Sequence, residues 1–257
     1  MSIRWTYAFV DRPVGRIGAA HAFWTAVTGS RVSELRGAHG EFVTLLAPDG
    51  DACVKVQGVE AGEGGAHLDF SVDDVGEFVA TARGLGAVPV AEHAGWCVLR
   101  SPGGHLFCAV PWHGESARPP VVAGSRLDQV CLDIPASGYD AESAFWAELT
   151  GWEPQAGSLP EFRVLRPPPG RPVRILLQRL QAEQPASAHL DLACKDIAAT
   201  RARHEAYGAV VVSHGPHWTV LRDPAGGLYC LTGRDPGTGS LPVPDVSERP
   251  GSRTRRS

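Results

Sequence analysis

The sequence predicts an α+β fold of two tandem domains, each a mixed or antiparallel sheet with its helices on one face. Three observations carry this prediction. The chain repeats itself at a fixed shift of 122 residues, from Ala66 to Ala188. Within each copy a strand–helix–strand–strand–strand order occurs twice. Helices that alternate with runs of antiparallel strands belong to layered α+β architectures.

The repeat comes first, because missing it would misread the whole chain. "AHLDFSVDD" starts at Ala66 and "AHLDLACKD" at Ala188. Between 66–110 and 188–232, compared without a gap, 18 of 45 positions are identical, against roughly three by chance at ordinary composition. The same shift pairs Trp96 with Trp218, Cys108 with Cys230, Asp11 with Asp133, and "AFWTAVTG" (22–29) with "AFWAELTG" (144–151). The domains are 1–112 and 126–233. Residues 113–125, rich in Pro, Gly and Ser, read as a linker. Residues 234–257 carry few large apolar side chains and no period, so a disordered tail is expected there.

Each element has its own signal. "RWTYAFVD" alternates as a strand does. From Gly18 to Val27 apolar residues recur at helical spacing and stop at Gly29, a natural C-terminal cap. "EFVTLLA" and "ACVKVQ" are strands joined by the turn "PDGD". "HLDFSVDD" opens the second unit, 75–85 is helical and ends at Gly86, and "AVPVAE", "WCVLRS" and "HLFCAV" are strands. The second domain follows the same order, with helix stops at Gly151 and Gly208.

Composition narrows the function. A net charge of −4 over 257 residues, with no basic domain and no basic–aromatic stripe, excludes a nucleic-acid binder. No apolar run reaches membrane-spanning length and no secretory signal opens the chain, so a cytoplasmic protein without a membrane partner is expected. The six cysteines form no C-x-x-C pair and read as reduced thiols. The glycine-rich "VEAGEGGAH" precedes a strand rather than a helix and fails as a phosphate loop.

The paired βαβββ units, the "HLDF/HLDL" strand and the Pro-x-Gly turn before the last strand resemble the vicinal oxygen chelate superfamily, in particular its glyoxalase-like branch. "RDPAGGLYCL" is especially similar to that branch. The superfamily includes glyoxalases, bleomycin-resistance proteins and extradiol dioxygenases. The resemblance covers about 4–110 and 126–232. It implies that paired units curve into a cup with helices outside and a ligand inside. It also implies a pseudo-dimer within one chain, and so a monomer.

Strand parity sorts the candidate ligand-binding residues. His67 and Asp69 share one face of their strand, opposite Leu68, Phe70 and Val72, and His189 and Asp191 do the same in the second copy. Trp5, Tyr7 and Phe9 share a face of the first strand, answered by Leu127, Gln129 and Cys131. Three aromatics suit a flat, apolar ligand. Cys108 and Cys230 lie on the last strands. The metal positions implied by the resemblance fall on Tyr7, about Gln57, His67 and Cys108, and on Gln129, about Gln178, His189 and Cys230. Only the histidines match the ligand type that metal-dependent members use, and the carboxylates are missing. The expectation is therefore small-molecule binding without a metal cofactor. The alternative is a divalent metal on His67 or His189 serving a lyase, isomerase or dioxygenase. The catalytic residues stay open.

Overall fold

The computed structural model describes residues 2–241. The first domain contains β1 (Ile3–Pro13), α1 (Ile17–Thr28), β2 (Arg31–Val32), β3 (Phe42–Leu46), β4 (Val54–Val59), β5 (Gly65–Val72), α2 (Val75–Gly84), β6 (Val88–His93), β7 (Trp96–Arg100) and β8 (Leu106–Pro111). The second contains β9 (Ser125–Ile134), α3 (Tyr139–Thr150), β10 (Glu153–Ala156), β11 (Phe162–Arg166), β12 (Arg174–Arg179), β13 (Ser187–Cys194), α4 (Ile197–Ala206), β14 (Val210–His214), β15 (Trp218–Arg222) and β16 (Leu228–Thr232). Each domain folds as one eight-stranded sheet, in the orders β2-β3-β4-β1-β5-β8-β7-β6 and β10-β11-β12-β9-β13-β16-β15-β14. The two units of a domain thus join through antiparallel pairing of their first strands, β1 with β5 and β9 with β13. The α+β tandem architecture is as the sequence predicts. The order of each unit calls for a strand directly after α1 and α3, but β2 and β10 could not be located in the sequence, since two to four residues leave no period to read.

Local chemistry fixes the helices. Gly29 (φ 61°) and Gly151 (φ 64°) end α1 and α3 in the left-handed region that only glycine enters at no cost. The Asp74 and Asp196 side chains accept from the Glu77 and Ala199 amides and cap α2 and α4.

The helices are shared between domains. Phe23 and Trp24 of α1 pack on Tyr229 of β16, with ring centroids 5.6 and 5.4 Å apart. Phe145 and Trp146 of α3 pack on Phe107 of β8, at 6.0 and 5.1 Å. This is why the Phe-Trp pair recurs in both "AFW" motifs: each helix buries it against the other domain's last strand. One continuous apolar core therefore spans both halves, the internal pseudo-dimer the repeat implies.

Two buried polar pins cross this interface and differ in chemistry. In one, Asp223 accepts from Arg12 Nε (2.8 Å) and Nη2 (2.7 Å) and from Trp24 Nε1 (3.0 Å). In the other, Glu142 Oε1 accepts from Trp146 Nε1 (2.8 Å) and Ser101 Oγ (2.5 Å) and meets His105 Nδ1 at 2.9 Å. Both solutions give a buried indole N–H a carboxylate, supplied by the turn in one case and by the helix in the other. A Cβ on Gly227 would lie 1.9 Å from Arg12 Cζ, so a side chain there is incompatible with the first pin.

Of the tail expected to be disordered, residues up to Leu241 fold back on the second domain. The Gly237 carbonyl accepts from Arg118 and Arg126, and that of Gly239 from Arg174 and Arg234. Residues 242–257 lie outside the described residues.

Candidate ligand site

Both sheets curve into cups, and strand parity places the paired His-x-Asp face in each. On the first cup's floor β1, β4, β5 and β8 run side by side, so Phe9 stands opposite both Lys55 and His67 and Asp69 opposite Cys108. The Phe9 and His67 rings stack at 4.3 Å and 11°. The Lys55 ammonium lies 3.8 Å from the Tyr7 ring centroid, a cation–π contact, and 3.1 Å from Asp69 Oδ2. His67 Nδ1 meets Asp11 Oδ2 at 2.7 Å, whereas Nε2 stays 3.7 Å from Asp69 Oδ1.

The cavity over this floor measures 620 Å³, within the range of small-molecule pockets. Its walls include Tyr7, Phe9, Phe42, Trp96, Val98 and Leu106, with Arg36 near the rim. The linker contributes as well. Glu115 accepts the Tyr7 hydroxyl at 2.6 Å and lines the cavity with His113. Ser116 and Ala117 are tied to Asp51.

The second cup repeats the strand arrangement and the His-x-Asp pair of the first but has almost no room. His189 sits between Asp133 (3.2 Å) and Asp191 (3.3 Å), and Gln129 Nε2 donates to Asp191 Oδ2 at 2.7 Å. Leu176 stands opposite Cys131, where the first cup has Lys55 opposite Phe9. Phe162 meets Trp218 edge-on at 5.7 Å, and Arg234 and Leu241 close in from the tail, leaving 50 Å³.

Electrostatics follow from burial and neighbours. Burial opposes charge on His67, but Asp11 outweighs it and raises the pKa. Burial opposes charge on His189 too, yet the Asp133 carboxylate and its hydrogen bond raise its pKa above the ordinary value. Burial pushes the Cys108 thiol far up, helped by Asp69, and also raises Cys230. Both thiols are therefore neutral and weak as nucleophiles.

The structure brings most of the predicted residues together. Tyr7, Phe9, His67, Asp69 and Cys108 line the first cup, and Gln129, His189, Asp191 and Cys230 the second. Trp5 keeps the parity of Tyr7 and Phe9, standing opposite Ser71, but its indole is fully buried with its N–H on the Ala52 carbonyl and does not line the cavity. Arg100 and Arg222 bond the turn carbonyls of Gly104 and Gly226. Sequence reasoning missed Asp11, Asp133, Lys55 and Glu115. Asp11 carried two signals, the parity of Tyr7 and Phe9 and its own duplicate at Asp133. Lys55 carried one, a lysine alternating with valines on a strand.

Three donors converge in each cup: His67, Asp69 and Cys108, and Cys131, His189 and Asp191. In the first cup an ion would be held by His67 Nε2, the second Asp69 oxygen and Cys108, while the Lys55 ammonium on Asp69 Oδ2 opposes a further cation there.

The sequence profile of the glyoxalase-like domain matches residues 8–110 and 129–232. The chain belongs to this glyoxalase-like family, in two tandem copies. No curated protein matches it in sequence. Among solved structures it is similar to the Mn(II)-bound glyoxalase from Novosphingobium aromaticivorans, with TM-score 0.64 and 17% identity over 95% of this chain and 88% of that one. It is similar also to the 2,3-dioxygenase LapB from Pseudomonas sp. KL28, with TM-score 0.61 and 15% identity over 93% of each chain. At such identities the likeness is one of fold.

Proposed function

We propose that the first cup binds a small, partly aromatic molecule and does so without a resident metal. The observation that carries this reading is the contrast between the cups: 620 Å³ walled by aromatics in one, 50 Å³ in the other. A roomy apolar cavity with a few converging polar groups is the usual form of a ligand site. Lys55 supplies the positive charge that a metal would otherwise bring to Asp69. The second cup then serves as a packed scaffold. The protein works as a monomer, since its internal pseudo-dimer supplies the pairing within one chain. Light scattering at the mass of a single 27.3 kDa chain supports this, and a stable doubled mass contradicts it.

A second reading is a metal-dependent lyase, isomerase or dioxygenase, favoured by the three-donor clusters and by neighbours whose names describe such enzymes. Elemental analysis of protein purified without chelator separates the two. The binding reading expects far less than one ion per chain, with no change in His67→Ala. Near-stoichiometric manganese, iron, nickel or zinc, lost on that substitution, favours the enzyme.

A further inference from the structure

The floor of the first cup contains an unfilled hydrogen-bonding position. Asp69 is 97% buried, being 3% exposed. Its Oδ2 takes the Lys55 ammonium, while its Oδ1, also buried, has no hydrogen-bond partner among the described residues. The Cys108 thiol lies beside it and is only a weak donor. His67 Nε2 stands 3.7 Å from that oxygen, too far to bond it. An oxygen buried in this way, lining a cavity, leaves a strong acceptor unmet. In the second cup Asp191 Oδ1 is likewise without a partner among the described residues, with His189 Nε2 at 3.3 Å, but the cavity that could bring a ligand to it is nearly gone.

We propose that the notch between Asp69 Oδ1 and His67 Nε2 is a hydroxyl subsite: a ligand O–H donates to Asp69 Oδ1 while its oxygen meets His67 Nε2. The inference rests on the proposed binding role of the first cup and narrows it to hydroxylated aromatic or other planar apolar compounds. His67 is held for this contact by two constraints. Its Nδ1 is tied to Asp11 at 2.7 Å, and its ring is stacked flat on Phe9. Lys55 holds Asp69 from the other side, so the carboxylate cannot turn to close the gap by itself. The walls supply flat apolar contact through Tyr7, Phe9 and Trp96. An ether of the same shape can accept from His67 but has no proton for Asp69, and so leaves that oxygen unpaired in a dry site.

The test compares 2-naphthol, 2-methoxynaphthalene and naphthalene by the change in their own fluorescence on the full chain. The subsite predicts that 2-naphthol binds about tenfold or more tightly than its methyl ether, and that Asp69→Asn removes most of this preference. Asp69→Ser, which withdraws the acceptor from the notch, provides a second variant should Asp69→Asn fold poorly, and it too removes most of the preference. Equal binding of all three probes by the natural protein overturns the subsite and leaves the apolar cup standing. Failure of all three to bind overturns the cup reading and the subsite with it. A naphthol preference that survives in both folded variants places the selectivity elsewhere and overturns the subsite.

Discussion

Arg12, near the end of the first domain's opening strand, is bonded through two nitrogens to Asp223 in the last turn of the second domain, and neither side chain is more than 1% exposed. The same guanidinium donates to the Asp11 and Gly65 carbonyls at 2.7 and 2.8 Å. The Asp11 side chain in turn holds His67. The domain interface and the floor of the first cup thus meet at two adjacent residues.

This pair is expected to be stabilising only as a pair. Asp223→Ala leaves a buried guanidinium half-satisfied and a buried indole N–H without an acceptor. The expected loss is about 3 kcal/mol, toward the lower end for a broken buried pair because two carbonyls still bind Arg12. Urea unfolding of the variant checks it, and a loss under about 1 kcal/mol refutes the assignment of this pin.

The cups are expected to differ in binding. Tyr7→Ala removes a ring, the Lys55 cation–π contact and the hydrogen bond to Glu115. A stacked ring contributes about 0.5–1.5 kcal/mol beyond burial, so an aromatic probe is expected to bind roughly three- to tenfold more weakly. Gln129→Ala costs stability by freeing Asp191 but leaves probe affinity unchanged. Equal losses in both variants, measured by fluorescence titration, contradict the asymmetry.

Acid stability is expected to depend on His204. The ring is fully buried, with Nδ1 at 2.9 Å from the Tyr229 hydroxyl, and burial lowers its pKa from 6.5 to about 4. Below pH 6.5 the unfolded chain binds a proton that the folded chain refuses. Stability therefore falls as pH drops from 6.5 toward 4, by roughly 3 kcal/mol for this group at the lower end. Urea midpoints of His204→Gln at pH 7 and pH 4.5 are expected to differ less than those of the natural protein. An unchanged pH dependence rules out His204 as its source.

The fold was legible because its signals are local and doubled. Helix stops at Gly29, Gly86, Gly151 and Gly208, alternation in "HLDFSV", and the recurrence of both specified units and order. The sharing of α1 and α3 between domains was not legible. "AFW" reads as a buried helix face whichever sheet covers it, and a strand pattern carries no label for its domain. The site was legible in part. Parity placed Tyr7, Phe9, His67 and Asp69, and it gave Trp5 the same face, but not how far along the strand the cavity reaches: the Trp5 ring packs in the core instead. Glu115 was hidden for another reason: a Pro-rich segment looks like a linker, and only the fold shows that it crosses the mouth of the first cup. The filling of the second cup depends on Leu176, Phe162 and Trp218 meeting from separate strands, a packing outcome that no single stretch of sequence contains.

The central claim is one metal-independent site per chain. Calorimetric titration of the full chain with 2-naphthol, with and without excess EDTA, tests it most directly. The account predicts one molecule bound per chain, with the same dissociation constant under both conditions. Binding that disappears with chelator and returns with a divalent ion, or two equivalent sites per chain, would contradict it.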